Sequence, residues 1–126
     1  MSVSQIISQW KQRPFERGVT DCCAFVEYVV NTLTGESYLP HYREDFQGVI
    51  DEHGSLRDAV SHYMKAQPIP ADELLPGDIA LVDIMGHESI GILMETGMIA
   101  VVLEQTGLRD IRADFTDEGW SVGHWG

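Results

Sequence analysis

The sequence predicts an α+β protein in which N-terminal helices pack on a small antiparallel sheet. Three observations carry that expectation. Apolar residues recur at helical spacing through the first half, as in Phe25, Val26, Val29, Val30 and Leu33. Pro68 and Pro70 then close the helical half, and the turn Pro76-Gly77-Asp78 introduces a change of period. Beyond it, short β runs follow one another with glycine-bearing turns between them.

The elements can be justified in order. Val3, Ile6, Ile7 and Trp10 mark one face of a first helix that starts near Ser2 or Ser4 and ends before Pro14. Residues 13–20 are an irregular lead-in whose Pro14 and Gly18 suit a defined loop. The central helix runs from Thr20 or Asp21, either of which can cap its first turn, to a stop at Gly35. Residues 36–43 lack a clean period, and Tyr38, His41 and Tyr42 there either line a groove or cover the core. A short helix over Asp45 to Glu52 closes at His53-Gly54. Ser55-Leu56-Arg57-Asp58 resembles a capping box opening a helix through Lys65, with Leu56, Ala59, Val60, Tyr63 and Met64 as its apolar face. In the second half, 79–83, 89–94 and 98–104 read as antiparallel neighbours, with Leu108 to Arg112 and Trp120 to Trp125 as two further strands.

Composition narrows the function. A chain of 126 residues with 44% hydrophobic content suits one domain, 1–126. Eight basic against twenty acidic residues leave a net charge of -12, which repels nucleic acid and anionic membrane surfaces. No nucleic-acid partner is expected. No signal-peptide pattern opens the chain and no apolar run approaches the ~20 residues that span a bilayer, so no membrane insertion and a cytoplasmic start are expected. The two cysteines are adjacent, so they form no disulfide framework, and a bond between them would close a strained ring. No Cys-x-x-Cys or His/Cys cluster with zinc spacing occurs, and neither a metal nor a cofactor is expected. His53 and His62 are nine residues apart, which is not a metal-ligand pattern, and both read as surface residues.

The chemistry-bearing feature is the pair Cys22-Cys23 at the start of the central helix. Unpaired backbone N–H groups and the positive dipole end favour thiolate there, which makes a nucleophile near neutral pH. Buried cysteine also serves as plain core filler, and both roles stay open. Adjacent helical residues point about 100° apart, so at most one of the two faces a cleft. A nucleophilic thiol needs a general base, and His87 in Met85-Gly86-His87-Glu88-Ser89 stands at the entry of the second β run. The alternative for His87 is a solvated turn histidine.

At these residues the chain resembles a known family. Asp21-Cys22 at a helix start, then Leu75-Pro76-Gly77-Asp78-Ile79-Ala80-Leu81, then a histidine-bearing segment running into Ile90-Gly91-Ile92, resembles the NlpC-type cell-wall endopeptidases. Pro14-Phe15, Gly18 and Asp21-Cys22 also resemble the opening of short relatives encoded among bacteriophage tail genes. The resemblance covers nearly the whole chain. It implies a papain-like fold in which Cys22 attacks an amide carbonyl to give a thioester that water hydrolyses, with peptidoglycan stem peptides as substrate. Cys23 takes a position that is commonly serine in that family.

Three departures from the family pattern bear on activity. The base histidine usually stands two residues before the glycine matched by Gly91, where this chain has Ser89. His87 is two residues earlier, roughly 6.6 to 6.8 Å along the strand, and a bulge or shifted strand would be needed to bring it to the thiol. The polar residue that orients the base falls near Ala100 or Val101, with Glu104 and Gln105 as nearby substitutes, and an upstream site tyrosine is matched by Phe15. The resulting expectation is a structural protein of the phage tail tip, found in the virion tail after assembly in the host cytoplasm, with other tail proteins as partners and a degenerate site. The alternative is an active cysteine endopeptidase or amidase that cleaves peptidoglycan through Cys22 and His87. A third reading, an acidic module docking a basic partner, rests on charge alone.

Overall fold

The computed structural model describes residues 2–10, 22–35, 46–103 and 106–122. Among these, helices α1 (Val3–Trp10), α2 (Cys22–Thr34), α3 (Phe46–His53) and α4 (Leu56–Met64) precede strands β1 (Ile69–Pro70), β2 (Ile79–Ile84), β3 (His87–Leu93), β4 (Ile99–Leu103), β5 (Gly107–Ile111) and β6 (Thr116–Trp120). Every strand pairing is antiparallel, in the order β1-β6-β2-β3-β4-β5. No helix of the described residues is long and apolar enough to cross a membrane.

Local chemistry accounts for the helix ends. Ser2 Oγ accepts from the Gln5 N–H at 3.1 Å and Gln5 Oε1 accepts from the Ser2 N–H at 2.8 Å, a reciprocal cap on α1. Glu95, from the β3–β4 turn, adds a long-range cap by accepting from the N–H groups of Val3 and Ser4 and from the Ser4 hydroxyl. Gly35, at φ 78, ends α2 and donates to Asn31 O at 2.8 Å. Ser55 Oγ accepts from the Asp58 N–H at 3.1 Å, which is half of the expected capping box, and Lys65 closes α4 in the left-handed region. The lead-in at 13–20, the Thr20 and Asp21 caps and the loop at 36–43 lie outside the described residues.

The helices cover one face of the sheet. Val3, Ile6, Ile7 and Trp10 of α1 are buried, and Trp10 meets Phe25 edge-on with centroids 5.6 Å apart. On the sheet side the same core takes Ile79, Leu81, Ile90, Ile92, Ala100 and Val102, which alternate along β2, β3 and β4. The intervening residues Ala80, Val82 and Ile99 join Leu74 in a second, smaller cluster on the opposite face. β2 and β3 pair without a register shift from Ile79↔Ile92 to Ile84↔His87. Their connection, Met85-Gly86, has positive φ at both residues, the twist that closes a two-residue hairpin, and the Asp83 carboxylate accepts from the Gly86 N–H at 2.9 Å.

Two strands differ from the sequence expectation. The last strand lies at Thr116–Trp120 instead of Trp120 to Trp125. Its polar run Thr116-Asp117-Glu118-Gly119 looks like a turn, yet it fills the gap between β1 and β2. Gly119 is required there by close approach: a Cβ would stand 2.1 Å from Ile79 O. The two-residue β1, at Ile69–Pro70, pairs with Gly119 and Glu118 at the sheet edge, where proline is tolerated.

Candidate active site

Cys22 is the first residue of α2, so its side chain stands at the positive end of the helix dipole. It is 7% exposed, while Cys23 is fully buried. Both are thiols and neither forms a disulfide. The helix has no acidic residue in its first turn to oppose thiolate formation.

The sheet fixes the face on which the candidate base residues lie. Cross-strand partners share a face, and Ser89 pairs with Val82 while His87 pairs with Ile84, both on the face opposite α2. Ile90 and Ile92 are the β3 residues that pack with Cys22 and the rest of α2, and Glu88 is the polar residue of β3 on that side. His87 is exposed at the first position of β3 and Ser89 is half-buried. The regular β2–β3 register contains no bulge that would re-aim His87. On β4, Ala100 is fully buried and joins the helix-side core, and Val101 pairs with Gly91. The substitutes Glu104 and Gln105, and Phe15, lie outside the described residues.

The Pro76-Gly77-Asp78 element has a structural task. The Asp78 side chain is 2% exposed; Oδ2 accepts from the Leu75 N–H at 2.9 Å and Oδ1 from the Val122 N–H at 3.2 Å. Gly77 donates to Leu93 O and Leu93 donates to Asp78 O, so the turn is stitched to the end of β3. The Asp78 carboxylate thus ties the turn before β2 to the segment after β6, while backbone bonds tie the same turn to the exit of β3. Gly91, also part of the resemblance, is required because a Cβ would lie 2.5 Å from Ala100 O.

A model of a domain of unknown function, DUF6950, matches residues 1–122. The chain belongs to the DUF6950 family. No curated protein matches the chain in sequence. Among solved structures, the fold is similar to the crystal structure of the NlpC/p60 domain of the peptidoglycan hydrolase SagA, with a TM-score of 0.60 and 15% identity, covering 96% of this chain and 99% of that one. This DUF6950 member therefore has an NlpC/p60-like α+β fold.

Sequence reasoning missed three arrangements that packing creates. Glu95 is a helix cap delivered from a distant turn; burial pushes its carboxyl up, but hydrogen bonds from its own N–H, from Ser4 and from Val3 outweigh that and hold it below the usual range. Trp120 Nε1 donates to Ser61 Oγ at 3.2 Å between β6 and α4. His53 and His62 have ring centroids 4.5 Å apart. The sequence carried no signal for these pairs, because each joins residues whose proximity depends on how the elements dock.

Proposed function

We propose that this chain is a structural component of a bacteriophage tail tip that keeps an NlpC/p60-like hydrolase fold around a degenerate catalytic centre. The observation that carries the reading is the strand geometry around the candidate base: Ser89 stands where the NlpC-type endopeptidases that the chain resembles usually have histidine, and both it and His87 share the sheet face opposite the helix that bears Cys22. A thiol without a base in reach is a poor amide hydrolase, because the leaving amine must receive a proton. The similarity of Pro14-Phe15, Gly18 and Asp21-Cys22 to short tail-gene relatives supports the tail assignment, with other tail proteins as partners.

Cys22 at the first residue of α2 favours a second reading, an active endopeptidase acting on peptidoglycan stem peptides. In that case the Cys22 thiolate adds to the amide carbonyl, the C–N bond breaks as His87 gives its proton to the amine, and water hydrolyses the thioester.

Alkylation of each thiol from pH 5 to 9, followed by mass spectrometry in the parent and in His87→Ala, separates the two. The structural reading expects both cysteines to react slowly below about pH 8, with His87→Ala unchanged. Fast, Cys22-selective alkylation at low pH that slows in His87→Ala overturns it in favour of the hydrolase. The tail assignment is tested separately by mass spectrometry of purified virions, and absence of the chain from them overturns it.

A further inference from the structure

His53 is the last residue of α3 and His62 lies on α4, joined through the tight Gly54-Ser55 connection. The hairpin brings their imidazoles to a centroid separation of 4.5 Å with a tilt of 32° between planes. Tyr63 sets its ring edge-on to both, at 6.4 Å from His53 and 5.3 Å from His62. His53 is half-buried and His62 exposed, so the pair is reachable from solvent. No described residue hydrogen-bonds to either imidazole, which leaves ring nitrogens available as ligands.

We propose that His53 and His62 form a two-ligand site for a divalent transition-metal ion of the Ni2+ or Zn2+ class. The centroid separation is compatible with it. An ion about 2.1 Å from one nitrogen of each ring lies roughly 3.2 Å from each centroid, so two rings at ligand angles of about 90° to about 109° have centroids about 4.5 to 5.2 Å apart. The observed 4.5 Å is at the 90° end of that range, the angle of cis ligands on an octahedral ion. A 32° tilt is open to two rings turning about their metal–nitrogen bonds. Imidazole is a suitable donor for zinc, copper and nickel, and water completes the remaining positions. The scaffold is ordered in advance: Ser55 caps α4, Leu56, Ala59, Val60 and Ser61 anchor it in the core, and Ser61 is held by Trp120 next to His62. Little ordering is left to offset on binding.

The test is a Ni2+ titration of the full chain at pH 7.5, read by paramagnetic broadening in amide NMR spectra and by calorimetry. Broadening is expected to centre on residues 50–54 and 59–63, with His53→Gln and His62→Gln each binding at least tenfold more weakly than the parent. Broadening centred instead on Cys22-Cys23 or His87, or equal affinity in parent and variants, overturns the proposal. The location of the broadening is read in the unaltered protein, so the result stands even if a variant folds poorly.

Discussion

Replacing Asp78 by alanine removes a carboxylate that satisfies two backbone donors in a site 2% exposed, the N–H groups of Leu75 and Val122. Hydrogen bonds to charged acceptors contribute about 1.5 to 3 kcal/mol each, and buried donors left without partners forfeit their solvation as well. The loss for Asp78→Ala is therefore about 3 to 6 kcal/mol, about a fifth or more of the stability of an ordinary domain. The backbone bonds between Gly77, Asp78 and Leu93 do not involve the side chain, so the turn itself persists and the damage concentrates at the Val122 junction. Asp78→Asn keeps the volume and one accepting oxygen but turns an NH2 group toward the second donor; about half the loss is expected. Urea unfolding followed by tryptophan fluorescence measures both variants, since Trp120 lies two residues from the junction. At about 3 °C per kcal/mol, Asp78→Ala is expected to melt about 9 to 18 °C lower. A loss below about 1 kcal/mol with an unchanged denaturant slope would show that water replaces the carboxylate and refute the reasoning.

Further outcomes follow from the same geometry. Glu95→Gln weakens the cap on α1 and is expected to cost about 1 kcal/mol at neutral pH. Because the folded-state carboxyl lies below its ordinary value of 4.5, this stabilisation is present above that value and disappears as pH falls through the lower folded value. Parent and variant unfolding curves should converge in acid, and a gap that widens there would contradict the assignment. Gly119→Ala places a Cβ 2.1 Å from Ile79 O and 3.1 Å from the Ala80 Cα, backbone atoms that cannot yield, so a loss of about 2 to 4 kcal/mol or insoluble expression is expected. Recovery of a soluble Gly119→Ala protein with the parent melting temperature would show that β6 can shift against β2.

How far the sequence reads depends on the range of the interaction. The buried face of α1, the span of α2 with its Gly35 stop, the Ser55 cap and the runs of β2, β3 and β4 are written in periods of 3.6 and 2, which need only neighbouring residues. The placement of the adjacent thiols at the start of α2 was legible in the same run, whereas the choice of Cys22 as candidate nucleophile came from the resemblance alone. β6 is not legible in the sequence because its residues carry no alternation of their own; the strand forms where β1 and β2 supply partners on both sides. The base position shows the same limit. That His87, Ser89 and Gly91 share one side of β3 follows from alternation alone, but which side meets α2 depends on the β2–β3 register and on helix docking. The tertiary structure alone decided that face, the cap from Glu95, the Val122 tie to Asp78 and the meeting of His53 with His62, because each depends on long-range packing and not on local period.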